Sequence, residues 1–196
     1  YDALVHNEVP IDNRKLWKLK IPLRVKIFLW FFNKGVILTK DNLARRNWQG
    51  CKKCVFCHHD ESIKHLFFEC KFARSVWAIV QIASNLYPPR SARNIFGNWL
   101  RGIDKQFSAH ILVGAAALCW AFWLTRNDIV FNRKCVYSPM QVIHICSRWL
   151  RMWSILQRPE DRDLFMMASI RLERSAREIF YPHGWRCDLR IGLAPL

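Results

Sequence analysis

Apolar residues recur at helical spacing through most of the chain, and sustained strand alternation is absent. Pro22 suits the first turn of a helix, because its missing N–H costs little there. That helix is predicted to run through Arg24–Phe32 and to stop near Gly35. Its apolar residues wrap most of the circumference, which predicts a largely buried element. Thr39 can cap a short second helix over 40–47, with Leu43 facing inward. Ser62 can cap a third, which carries His65 and Cys70 and continues through Phe72, Val76, Trp77 and Val80. Pro88 and Pro89 interrupt the pattern, and a module boundary is expected there.

Beyond the prolines, helical periods cover 93–103, 105 to about 131, 139–157 and 160–180. Ser138-Pro139 and Pro159-Glu160 read as helix starts. Trp120, Trp123, Trp149 and Trp153 stand three or four apart within their segments, as core positions do. The apolar run 111–124, bounded by His110 and Arg126, is shorter than the roughly 20 residues of a spanning helix. A buried core helix is expected. The pattern predicts a mainly α fold: a small Cys3His zinc-stabilised helical module over 14–87, a bundle-like helical extension over 90–181, and a loop or tail over 182–196. The first residues carry little signal, with Tyr1–Val5 reading as the tail of a helix.

The cysteines sharpen this picture. Cys54, Cys57, His65 and Cys70 follow the pattern C-x2-C-x7-H-x4-C. Tetrahedral zinc takes four N or S ligands, and a Cys3His set closes its coordination sphere. The C-x2-C pair fits a turn, and a short helix can return His65 and Cys70 to one side. A closed sphere leaves no position for a reacting water, so a structural Zn2+ site is expected and an enzyme is not. Cys51 stands three residues before Cys54 and could take its place or remain a free thiol. His58 and His59 are expected in solvent. Cys119, Cys135, Cys146 and Cys187 scatter singly and read as ordinary thiols. Clustered metal-type cysteines, in a chain this long, point away from a secreted disulfide scaffold and towards the nucleus or cytoplasm. No leader of signal-peptide type opens the chain, which starts at Tyr1 and not Met, as a piece of a longer product would.

Charge then places the site among polyanions. The 196 residues carry a formal net charge of +16. Between Arg14 and Lys53 twelve basic residues face one acidic residue, Asp41, so 12 − 1 = +11 of that charge immediately precedes the metal motif. RNA or DNA is the expected partner, through phosphate contacts with little sequence preference. Lys40, Arg45, Arg46, Lys52 and Lys53 are the candidate phosphate ligands. Phe56, on the turn between two cysteines, is the candidate for stacking on an unpaired base, whereas Trp48 is expected in the core. No membrane and no small-molecule substrate are expected. Asp161 and Asp163 read as helix N-terminal charge, and no Ser/His/Asp set or spaced nuclease carboxylates stand out.

Residues 17–77 also resemble a known family. Trp17-Lys18-Leu19-Lys20-Ile21-Pro22-Leu23 leads into Arg24–Trp30, then Leu38-Thr39-Lys40-Asp41-Asn42-Leu43. The Cys54/Cys57 pair, Glu61-Ser62, His65-Leu66-Phe67-Phe68, Cys70 and Phe72–Trp77 follow in order. This is similar to the zinc-binding domain that follows reverse transcriptase in plant non-LTR, LINE-type retrotransposons. Weaker similarity reaches Ala117–Trp123 and Arg126-Asn127-Asp128. The resemblance implies that Cys54, Cys57, His65 and Cys70 hold the metal and that the module handles nucleic acid near template or target. It also implies a reverse transcriptase upstream and sometimes a ribonuclease H downstream. The high aromatic content and the start at Tyr1 motivate an alternative, a structural or protein-interaction module that docks on a reverse transcriptase domain absent from this chain, and a non-functional relic is the other alternative.

Overall fold

The computed structural model describes residues 13–132 and 138–181. Tyr1–Val5, Cys135, Cys187 and the 182–196 segment, for which expectations were stated above, lie outside the described residues. Helix α1 spans Asn13–Lys18, α2 Leu23–Asn33 and α3 Lys40–Ala44. A π-helical turn at His65–Glu69 leads into α4, Lys71–Ser84. Then come α5 (Ala92–Phe96), α6 (Lys105–Asn132) and α7 (Pro139–Ser154). A 3-10 turn at Pro159–Asp161 precedes α8, Arg162–Phe180. The described residues contain no strand, only an isolated antiparallel bridge between Lys53 and Asp60. The fold is mainly α, as the pattern requires.

Local chemistry explains several boundaries. Gly35, at φ 75°, ends α2. Its N–H donates to Phe32 O at 3.1 Å, and that of Val36 to Phe31 O at 3.0 Å. This is the paired bonding that a left-handed residue after a helix makes possible, and glycine adopts it without a Cβ penalty. Ser138 Oγ accepts from Met140 N at 3.2 Å with Pro139 in the first turn of α7. The expected helix over 93–103 forms only at Ala92–Phe96, capped by Ser91. Gly97 and the left-handed Gly102 (φ 90°) hold the following residues in turns.

Two faces differ from expectation. Helix α2 buries Val25, Phe28, Leu29 and Phe32 but exposes Leu23, Ile27 and Phe31, spaced by four, so it is amphipathic in position although not in composition. In α3 the inward residue is Asn42, and Leu43 is only partly covered. Asn42 Nδ2 donates to Gly35 O and Ile37 O, both at 2.8 Å, fastening α3 to the end of α2.

One apolar core runs through both sides of the diproline. Helix α7 packs on both α6 and α8, and α4 lies against α7 and α8. Phe67 in the π turn meets Phe32 at 4.7 Å and Phe122 at 5.9 Å between ring centroids. Trp149 and Trp153 are buried, while Trp120 and Trp123 are half-buried, with Phe28 packed on both. By length and composition α6 could cross a bilayer. Eleven of its residues are nonetheless buried inside this protein, Arg126 among them, so it serves as a core helix here.

Candidate metal centre and basic surface

The metal motif is folded by backbone bonds before any ion is considered. Cys54 N donates to His59 O at 2.8 Å and Glu61 N to Lys52 O at 2.9 Å, closing residues 52–61 into a tight loop. Inside it, Phe56 N lies 3.4 Å from Cys54 Sγ, an N–H aimed at a sulfur. Ser62 Oγ accepts from His65 N at 3.1 Å and so starts the next turn. Cys70 N then donates to His65 O at 2.8 Å, an i to i+5 bond. Residues five apart diverge on an α-helix, by about 140° at 3.6 residues per turn. The π turn brings them back to one side.

The ligand atoms of Cys54, Cys57, His65 and Cys70 accordingly all lie within 4.8 Å of one another. A tetrahedron with 2.3 Å metal–sulfur bonds has edges of about 3.8 Å, so small adjustments admit one ion. Cys57 Sγ and His65 Nε2 stand 3.0 Å apart. Cys51 is exposed and outside the group. His58 and His59 are exposed too, although His59 Nδ1 comes within 3.7 Å of Cys57 Sγ and its ring stacks on that of His65. Leu66, Phe67 and Phe68 form the buried wall behind the site.

The three thiols divide their protons unequally. The Cys54 thiol donates to Cys70 sulfur, which pulls Cys70 down to about 5, helped by the N–H groups of Phe72 and Ala73 at the start of α4. The same bond, and burial, push Cys54 far up. Burial also raises Cys57. One thiolate therefore waits beside two thiols.

Glu61 is the functional residue that sequence reasoning missed. Its Oε1 accepts from Lys40 N at 2.9 Å, capping α3 in place of the Thr39 side chain, which turns to Asp41. The same oxygen meets Arg126 Nη2 at 2.7 Å, and both side chains are buried, with 1% of Arg126 and none of Glu61 exposed. Arg126 also lies over the Trp123 ring at 5.2 Å. The metal loop is thereby bolted to α6 across 65 residues. The available signal was an arginine ending an apolar run, and its partner could not be read from spacing.

The basic candidates fall in different settings. Arg45 and Lys52 line one shallow depression with Asp41, Asp60 and Glu61. Arg46 is exposed. Lys53 pairs with Asp60 at 2.9 Å, which raises its own pKa and lowers that of the carboxyl. Lys40 Nζ donates to Lys53 O, tying α3 to the loop. Phe56 corrects the expectation of a free stacking ring. It is 6% exposed and lies parallel to Phe72 at 4.2 Å, because the loop curls its turn inward over α4. Trp48 corrects the opposite expectation: it is 39% exposed, and its ring covers Gly50 so closely that a Cβ there would stand 1.9 Å from it.

Fold and site together define a helical protein with a four-ligand Cys3His knuckle of structural-metal type. Residues 1–77 match the model of the family described as zinc-binding in reverse transcriptase. The chain is also 31% identical over 151 residues to an Arabidopsis thaliana protein that bears the name of a ribonuclease H protein. That match covers 69% of this chain and 23% of the relative, so the chain spans under a quarter of the relative's length. No solved structure matches it.

Proposed function

We propose that this chain is a retroelement-derived, zinc-stabilised module that binds RNA or DNA through phosphate contacts with little sequence preference. The observation that carries the reading is the placement of Arg45, Arg46 and Lys52 beside a Cys3His loop whose own acidic residues are already engaged. Glu61 is neutralised by Arg126 and Asp60 by Lys53. Zn2+ held by Cys54, Cys57, His65 and Cys70 would fix the loop that presents these cations. The ion would supply rigidity and no reaction, because four side chains fill a tetrahedral sphere. The family supports zinc, and a plant origin of LINE type fits the Arabidopsis relative. A thiolate-rich site of this kind belongs in a reducing compartment, nucleus or cytoplasm.

The test is filter binding to single- and double-stranded nucleic acid across a salt series. Affinity should fall steeply with salt as counterions are released. The double variant Arg46→Glu, Lys52→Glu should bind about tenfold or more weakly and flatten the salt slope by roughly two. Undiminished affinity in that variant would remove the reading.

A second reading has an observation of its own. Leu23, Ile27 and Phe31 form an exposed apolar stripe on α2, with Trp17 also exposed on α1. Such stripes mark protein contacts, and a reverse transcriptase domain is the partner the family suggests. Co-purification with that domain, lost in Ile27→Glu and Phe31→Glu, would favour it.

A further inference from the structure

Among the described tryptophans only Trp17 and Trp48 are exposed, and Trp48 stands on no helix. An indole left in solvent forgoes a large hydrophobic gain.

The backbone holds it there. Helix α3 ends as α2 does, with a left-handed residue, here Asn47 at φ 63°. Its N–H donates to Ala44 O at 3.1 Å, and that of Trp48 to Leu43 O at 3.1 Å. This paired bonding fixes Trp48 as the residue on which the chain leaves the helix. Gly50 then supplies a seat for the ring. A Cβ added to Gly50 would stand 1.9 Å from Cζ2 of Trp48, 2.2 Å from Cη2 and 2.4 Å from Cε2. Similar distances to three adjoining ring atoms place that point over the face of the ring. A point beyond the rim would lie much further from the outer two. One face of the indole therefore lies on the Gly50 backbone. Trp30 is met by Phe31 and the Lys34 ammonium, and Trp120 by Phe28 and Arg24. Among the described residues no such ring or cation covers Trp48.

Its neighbours in the chain are cationic. Arg45, Arg46 and Lys52, all exposed, stand within four residues of it. Arg45 is steadied by Asn42, whose Oδ1 accepts from Nη1 at 3.1 Å. The acidic side chains of the adjoining depression are engaged: Asp41 by Thr39, Asp60 by Lys53 and Glu61 by Arg126.

We propose that Trp48 is a stacking platform for an unpaired nucleobase, so that this surface selects single-stranded RNA or DNA over duplex. The inference rests on the nucleic-acid reading above and adds to it the form of the polymer. Every base has a π-face, so stacking brings no sequence preference with it. In a duplex those faces are already stacked on one another. Phosphates on either side of a stacked base can meet Arg45, Arg46 and Lys52. An aromatic side chain of a partner protein would offer the ring the same face but bring no charge to answer the three cations.

Fluorescence anisotropy of the full, zinc-loaded chain tests this. The probes are oligothymidylate and oligouridylate of about twelve nucleotides, within the usual site size, and a duplex of equal length. Trp48→Ala should weaken single-strand binding about tenfold and duplex binding by less than about twofold. Trp48→Phe, which keeps a ring, should retain most of the affinity. Zinc content and far-ultraviolet circular dichroism should be unchanged in both variants. An abasic strand of the same length should bind the unaltered protein as weakly as oligothymidylate binds Trp48→Ala, and that variant should lose nothing further on it. The tighter of the two oligonucleotides identifies the sugar. Unchanged single-strand affinity in Trp48→Ala, equal losses on strand and duplex, or an abasic strand bound as tightly as the intact one would overturn the inference. If Arg46→Glu, Lys52→Glu still weakens both forms, the phosphate reading then stands without it. Absence of binding to either form at low salt would remove both.

Discussion

The metal loop and the α6–α8 bundle solve the same problem by different means. From Gly50 to Asp60 only Cys54 and Phe56 are buried. Over a similar length α7 buries Met140, Val142, Ile143, Cys146, Trp149, Leu150 and Trp153. The loop has too little apolar surface to offset its lost chain entropy. Four converging ligands provide another source of free energy, and the bundle needs none. The contrast shows why one end of the molecule can be basic and polar while still holding a fixed shape.

Removing the metal should separate the two regions most sharply. Structural zinc in short peptides contributes on the order of 10 kcal/mol. Chelation should therefore abolish hydrogen-exchange protection across 48–64 and leave α6–α8 protected. Leu66–Phe68, set in the shared core, should keep part of theirs. Full protection of 48–64 without metal would erase the distinction.

Next in size is Arg126→Met, which leaves the Glu61 carboxylate buried and unpaired. Breaking a buried pair costs about 3–5 kcal/mol. Denaturant unfolding should show that loss, and zinc affinity should fall with it although Arg126 stands on α6. Adding Glu61→Gln should restore much of the stability, which the single variant alone cannot distinguish from damage to helix packing.

The uneven protonation of the thiols predicts the pH response. Near neutral pH Cys70 is a thiolate, while Cys54 and Cys57 hold their protons because their values are raised. Zinc must then displace about two protons, so its affinity should fall about 100-fold for each unit of decreasing pH. Below about 5 Cys70 is protonated as well, and the decline should steepen. Competition with a chromophoric chelator between pH 4 and 8 measures the slope on both sides of that value. A slope near zero would mean that all three sulfurs are thiolates before the ion arrives.

The smallest effect belongs to the bundle's own ends. Ser138→Ala removes the bond from Met140 N and should cost about 1 kcal/mol. It should leave metal affinity unchanged. A coupled loss there would show that the regions are less separable than their cores suggest.

Much of this was legible from spacing. The four ligands, Gly35 as a helix end, Ser138 as a cap and the long apolar α6 all follow from local rules that act within a few residues. What escaped depends on contacts distant in the chain. The expectation for Phe56 treated its turn as open, whereas Phe72 supplies a cover from the next helix. Thr39 looked like the cap of α3 until Glu61 arrived from 22 residues further on. The exposed stripe of α2 was misjudged because composition reports how many residues are apolar, not which face finds a neighbour.

The wide turn at His65–Glu69 has a consequence for how the segment tolerates change in length. Deleting one residue between His65 and Cys70 would set the two ligands four apart, and on an ordinary α-helix such residues stand only about 40° from each other, on one side. Inserting one would set them six apart, about 120° from each other on an α-helix, and carry the final sulfur away from the other ligands. The segment should therefore bear shortening by one residue better than lengthening by one.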